Sequence, residues 1–204
     1  MDYKIILGIV ATVIGFISYI PYFVDILKNK TKPHIFSWLS WGLLTGIAFF
    51  AQVVKGGGPS AWVIGSGAIL CFLVIVISFF KGEKNITKID WFCLGCFILG
   101  VLLWKLTNDP LFALVLSVIT NLLAFVPTFI KSYRKPWEET MSLYFLSALK
   151  WAITLAVITS YSFATIIFPL SLFLTNGLFV VMVLYRKNKI NVRSGEFLIK
   201  QKRV

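Results

Sequence analysis

Four side chains stand where an otherwise apolar sequence gives them no ordinary work. The stretch "SALKWAITL", residues 147–155, sets Lys150 and Trp151 among apolar neighbours with no acid close by. Asn121 in "VITNLLAF" and Asn176 in "LTNGLFVV" are amides in comparable surroundings. An ammonium in such a place needs a water-filled cavity, the loss of its proton, or an anion that comes and goes. A buried amide without partners costs a few kcal/mol, so each asparagine either hydrogen-bonds across helices or lines a wet cavity. Together these residues carry the chemistry of recognising an anionic or strongly polar solute. Lys150, Trp151, Asn121 and Asn176 are therefore the expected substrate-binding set. The bland alternative is a lysine held by backbone carbonyls or water for structural reasons alone.

Turnover chemistry finds little footing in the same sequence. There is one histidine, His34, no acid deep in an apolar segment, and no nucleophile with a base at readable spacing. Catalysis is not expected, and neither is a cofactor. Cys93 and Cys96 form "CLGC", which a redox or metal pair could use; with no further Cys or His pair to complete a site, small residues inside a helix explain them better, and no metal is expected. His34 reads as a loop residue near a helix start rather than a pH sensor.

The elements that must position these groups follow from composition. Hydrophobic residues make up 58% of the 204 and charged ones 14%, more apolar surface than a soluble domain of this size can bury. A hydrocarbon core of about 30 Å needs roughly 20 apolar residues per helix. On that scale seven spans are predicted, approximately 5–27, 35–54, 60–80, 89–106, 110–131, 141–159 and 163–185, in an all-α membrane protein. Lys150 then lies about nine residues into the sixth helix, roughly 13 Å from its start at 1.5 Å per residue. A lysine at that depth costs about 2.5–3.5 kcal/mol to insert.

The net charge of +12 would suggest nucleic acid in a soluble protein. Here its distribution argues otherwise. Lys28, Lys30 and Lys32, then Lys81, Lys84 and Lys88, then Lys131, Arg134 and Lys135 all fall in loops on one side, joined by a basic tail from Arg186 to Arg203. The opposite side has Lys4, Lys55 and Lys105. The positive-inside rule places the N-terminus outside and the C-terminus in the cytoplasm, expected in a prokaryotic cell membrane. The lipid bilayer is the expected macroscopic partner and nucleic acid is not; the oligomeric state is not readable. The run after Lys4 is too long for a signal peptide and lacks a small-residue cleavage site, so it reads as the first helix.

The chain also repeats itself. "SYIPYFVDILKNK" (18–30) lies over "AFVPTFIKSYRK" (124–135), with Pro21 on Pro127 and Lys28 on Arg134 at an offset of 106. After the loss of one residue, Ser37 falls on Ser142. This divides the chain into a first triple-helix repeat (1–87), a linker transmembrane helix (88–108), a second triple-helix repeat (109–187) and a basic cytoplasmic tail (188–204). The repeats run parallel, and in transporters built this way the binding site lies where the repeats meet near mid-membrane. Lys150 has Thr45 as its approximate counterpart, so the pocket would be asymmetric and its one charge positive. Pro21 and Pro127 each remove a backbone hydrogen bond inside an apolar helix, and their matched positions favour a hinge over a static kink. Trp38 and Trp41, one turn apart, read first as an aromatic belt and second as a gate or stacking surface. Gly42 and Gly46 in "GLLTG" permit close helix approach, within the bundle rather than in a dimer.

With its three-plus-one-plus-three plan, a proline late in the first helix of each repeat, a basic loop and a serine opening the next helix, the chain resembles the PQ-loop superfamily. That group includes the SWEET sugar facilitators, cystinosin-type exporters and KDEL receptors. The glutamine that names it is replaced by Tyr22 and Thr128. Asn176-Gly177 is similar to the Asn-Gly that lines the sugar pocket of SWEET proteins, and Ser66-Gly67 occupies the matching place in the third helix with serine for a second asparagine. The resemblance implies a facilitator with alternating access for a small polar, possibly anionic, metabolite, in which Ser66 and Thr45 join the binding set and Pro21, Pro127, Tyr22, Trp38 and Trp41 act as hinge and gate. Sugar is not carried over as substrate. A non-transporting receptor or sorting protein on the same plan is the alternative.

Overall fold

The structure, a computed structural model, describes residues 3–54, 58–106, 110–158 and 163–201, with some side chains inside the helices left undescribed. Among the described residues all regular structure is α-helical: α1 (Tyr3–Leu27), α2 (Ile35–Val54), α3 (Gly58–Lys81), α4 (Lys88–Leu106), α5 (Pro110–Arg134), α6 (Met141–Ala156) and α7 (Phe163–Gln201). Three stretches are long and apolar enough to cross a membrane, Tyr3–Leu27, Val115–Arg134 and Ile166–Asn191. The expected edges match within a few residues except at the end. There α7 continues to Gln201, through a segment read above as a tail. No proline interrupts it, its Lys, Arg and Glu are good helix formers, and Gly195 alone costs only about 1 kcal/mol.

Local chemistry sets the helix ends. Asn29, at φ 56°, is in the left-handed region and closes α1 as an asparagine cap. The N–H groups of Lys30 and Thr31 then return to the Asp25 carbonyl at 2.9 and 3.2 Å. Before α4, Thr87 and Asp90 form a reciprocal capping box: the Thr87 N–H and hydroxyl donate to Asp90 Oδ2 at 2.6 and 2.8 Å, and the Asp90 N–H donates to Thr87 Oγ1 at 3.4 Å.

Six helices close into a ring. α1 packs on α3, α3 on α2, α2 on α5, α5 on α7, α7 on α6, and α6 on α1. α4 stands outside it, against α5 and α2. Gly42 brings α2 onto α3, since a Cβ there would lie 2.8 Å from Ile75 Cδ1; around Gly46 nothing stands within 4 Å. Among the described residues, only the first glycine of "GLLTG" is used for packing.

The polarity of this ring is inverted relative to a water-soluble bundle. Phe80, Phe92, Trp91, Phe72, Leu178 and Val181 face outward on α3, α4 and α7, all exposed by more than 60%. Ser37, Thr128, Asn121, Asn176, Lys131 and Glu139 are buried. An apolar exterior around an interior that mixes polar groups with an apolar core suits a hydrocarbon solvent, in which helices associate through packing and interhelical hydrogen bonds.

Candidate functional site

The ring surrounds a partly open cavity of about 520 Å³, and its described lining residues come from all six of the ring's helices and none from α4. Lys150, Trp151, Asn121, Asn176 and Thr45 all line it, together with Trp38 and Trp41. Ser66 is carried on α3, but its side chain lies outside the described residues.

Lys150 reaches the cavity across α1. Its stem passes Gly15, where an added Cβ would stand 3.1 Å from Lys150 Cδ and 3.8 Å from Nζ. Gly15 is midway along α1, so the ammonium sits at the middle of the bundle. Its polar contact is the ring of Trp151, 4.5 Å from Nζ to the centroid. No carboxylate lines the cavity among the described residues. A desolvated cation–π contact is worth about 2 kcal/mol.

Asn121 Nδ2 and Trp41 Nε1 are buried with no hydrogen-bond partner. Asn176 is better served, its Nδ2 donating to the Leu172 carbonyl one turn back at 2.8 Å. Thr45 Oγ1 likewise donates to the Trp41 carbonyl at 2.8 Å. Two donors of the described wall, the Asn121 amide N–H and the Trp41 indole N–H, are thus buried without a hydrogen-bond partner, and the Lys150 ammonium meets an aromatic ring.

Trp38 and Trp41 are not an interfacial belt. Trp38 is 2% exposed, and its Nε1 donates to Tyr22 Oη at 2.9 Å. Trp41 packs edge-on against Trp38 and Phe125, with centroids 5.2 and 4.6 Å apart. Phe125, Tyr144 and Phe179 continue the stack; the last two rings are 4.1 Å apart. This aromatic layer separates the cavity from the loops at the end where α1, α3 and α5 finish. Tyr22 and Thr128, each the residue after a repeat proline, both anchor to α2, since Thr128 Oγ1 donates to Ser37 Oγ at 2.8 Å.

Beyond that layer the three loops interlock. Lys131 is buried, its ammonium paired with Glu139 and donating also to the carbonyls of Lys32 and Glu138. Tyr144 Oη donates to the other oxygen of Glu139 at 3.3 Å, joining the cavity wall to this ion pair. Thr140 Oγ1 donates to Asp25 Oδ2 at 2.9 Å, and Lys32 pairs with Glu138 at 2.7 Å. Glu83 ties in the third loop: its N–H donates to the Pro33 carbonyl at 3.0 Å, and its carboxylate receives Lys135 Nζ at 2.9 Å and the Asn85 N–H at 2.9 Å. Burial alone would push the Glu83 carboxyl up, but the bonds from Lys135 and Asn85 and the charges of Lys135 and Lys131 together hold it below the usual carboxylate value. Hydrogen bonding to Glu83, with its charge and that of Glu138, raises the Lys135 ammonium against a smaller effect of burial. His34 lies in the loop immediately before α2, as expected, and is 2% exposed there. Burial lowers its pKa, the Lys131 charge adds to that, and Asp90, 3.5 Å from Nε2, with Glu83 only partly restores it.

Sequence reasoning missed Tyr19, Cys71, Phe125, Tyr144 and Ser147 in the cavity wall. Three of them were within reach: Ser147 is three residues before Lys150 on α6, Tyr144 three before Ser147, and Phe125 lies one turn after Asn121. Pro21 and Pro127 are inside α1 and α5, outside the cavity wall.

Comparison of the chain with family models, with curated proteins and with solved structures finds no match.

Proposed function

We propose that this chain is a facilitator-type membrane transporter working by alternating access for a small polar or anionic metabolite, on the SWEET-like plan of the PQ-loop superfamily. In this reading all seven helices cross the bilayer, as two parallel triple-helix repeats with α4 as the linker, and the basic loop end faces the cytoplasm. The pattern of helix contacts supports the repeat. Exchanging α1 for α5, α2 for α6 and α3 for α7 carries every contact of the ring onto another contact of the ring.

The observation that carries the functional reading is the cavity itself. It lies at mid-helix depth where the two triplets meet, the place a parallel-repeat transporter holds its substrate, and among its described lining residues it has a lysine and no carboxylate. The aromatic layer and the interlocked loops then serve as the gate on the cytoplasmic side, with Pro21 and Pro127 as the flexible points of α1 and α5.

Counterflow in proteoliposomes tests this. Vesicles preloaded with small carboxylates, amino acids or sugars, each in turn, should concentrate the same labelled solute for at least one class. A solute that binds the purified protein yet never equilibrates across the vesicle would make the protein a receptor instead.

A further inference from the structure

We infer that the ligand of this cavity is an organic monoanion: one carboxylate, or an equivalent flat oxyanion, carried on a planar apolar body and lacking an ammonium of its own. This narrows the proposed function and rests on the cavity being a ligand site, whether or not the ligand is then carried across.

Charge sets the first limit. Lys150 is the one basic side chain among the described residues of the wall, and no Asp, Glu, Arg or His joins it among them. Inside a low-dielectric ring, an uncompensated charge is the dominant unfavourable term. A single negative charge brings the site to neutrality. A dianion leaves one charge over, and a neutral ligand leaves the lysine as it was. A zwitterion supplies the anion but brings an ammonium for which the wall offers no carboxylate.

Hydrogen bonding sets the second. Lys150 Nζ, Asn121 Nδ2 and Trp41 Nε1 all donate, and a carboxylate is acceptor-only with about four lone-pair sites on two oxygens. Asn121 and Trp41 are on α5 and α2, while Lys150 is on α6, so the donors come from both triplets. Asn121 Nδ2 and Trp41 Nε1 are closed off from the cavity space in this structure, so an oxyanion held by Lys150 reaches them through side-chain rotation, and in doing so it bonds the triplets to each other.

The rest of the wall describes the body attached to that oxyanion. Trp38, Trp41, Phe125, Tyr144 and Trp151 supply ring faces and edges, which suit a flat apolar group by offset or edge-on packing. Three hydroxyls of the wall are already engaged, Thr45 with the Trp41 carbonyl, Tyr144 with Glu139 and Tyr19 with Cys71 Sγ, so a polyhydroxylated body would find few free partners.

The test compares three probes of nearly one shape: 3-phenylpropionate, its neutral amide 3-phenylpropionamide, and the zwitterion phenylalanine. Thermal unfolding of the nanodisc-embedded protein is followed against each, with empty nanodiscs as the partition blank. The carboxylate should raise Tm and bind at least about tenfold tighter than either analogue. Lys150→Met should remove that preference and leave the amide's weak binding as it is, while Lys150→Arg should retain it. Equal binding of amide and carboxylate overturns the inference, as does tighter binding of phenylalanine, or no binding of the carboxylate at about 10 mM, an affinity below any useful for recognition. The wild-type comparison alone decides if the methionine variant does not fold. Binding of the carboxylate without counterflow leaves this inference standing and removes the transporter reading; counterflow of a neutral solute with no carboxylate preference does the reverse.

Discussion

The stem of Lys150 crosses Gly15 so closely that a methyl group on the glycine would stand 3.1 Å from Lys150 Cδ. The space for a lysine on α6 is therefore made by a missing side chain on α1. Gly15→Ala should leave the fold intact, because the group it meets is the far part of a flexible chain and alanine is the better helix former. It should displace the ammonium and weaken binding of 3-phenylpropionate by about threefold, roughly 0.6 kcal/mol. Gly8→Ala, where nothing lies within 4 Å, is the control that should change neither. Equal affinity in the two variants would show that the lysine does not depend on this gap.

The second lysine of interest, Lys131, contrasts with the first. Its three N–H donors meet a carboxylate and two carbonyls, and Lys150 has only a ring. Lys131→Met should strand the buried Glu139 and destabilise the protein by about 3–5 kcal/mol. Lys131→Met with Glu139→Gln should recover much of that loss, since the uncompensated charge is gone. Unfolding in detergent at matched pH measures both.

Stability should vary with pH through the loop cluster in three known directions. The folded pKa of Glu83 is depressed, so its contribution is present above about pH 4.5, the unfolded value, and fades as pH falls through the folded one. Lys135 is raised, so its contribution is complete below about pH 10.5 and fades as pH climbs through the folded value. His34 is lowered; the unfolded chain takes up that proton more readily, and stability falls as pH drops below about 6.5. Tm measured from pH 8 to 4 should decline in two stages. Removing His34 (His34→Gln) should abolish the first stage and Glu83→Gln should reduce the second.

Pro21→Ala and Pro127→Ala each allow a helical hydrogen bond that the proline forbids. Both variants should fold. Counterflow should slow by about tenfold while ligand affinity stays within about twofold, the signature of a conformational step rather than of binding. Unchanged flux in both would make the prolines static kinks.

Orientation is checked by thiol labelling in intact cells. A cysteine placed at Gly57 should react with an impermeant reagent from outside, and one placed at Asn85 should not. Equal reaction at the two sites would undo the assignment of the basic loops to the cytoplasm.

Much of the cavity was legible in the sequence because a polar group in an apolar helix has few harmless explanations. Lys150, Asn121 and Asn176 were found by type alone, and helical spacing from them leads to Tyr144, Ser147, Phe125 and Leu172, since one helix face repeats every three to four residues. The loop cluster was not legible. Lys131 and Glu139 read as ordinary loop charges, and nothing local says that Lys131 turns inward onto the carbonyls of Lys32 and Glu138. Trp38 and Trp41 misled for a related reason: an aromatic near a helix end serves a lipid interface or a bundle interior equally well, and only the position of Tyr22 decides between them. The continuation of α7 beyond its apolar span to Gln201 was not legible, because loss of hydrophobicity marks the end of an apolar span, not the end of a helix.

The helix outside the ring gives the two seams between triplets different mechanics. Where α2 meets α5, α4 lies against both and binds them like the spine of a book. Where α6 meets α1 there is no such backing, and that fore-edge is where Lys150 rests on Gly15. To part α2 from α5, α4 must be peeled from one of them as well; to part α6 from α1, only that pair need separate. The lysine of the described cavity wall is therefore set at the seam that α4 does not brace, which holds instead by its own more extensive packing, so an anion seated there adds a clasp to that fore-edge.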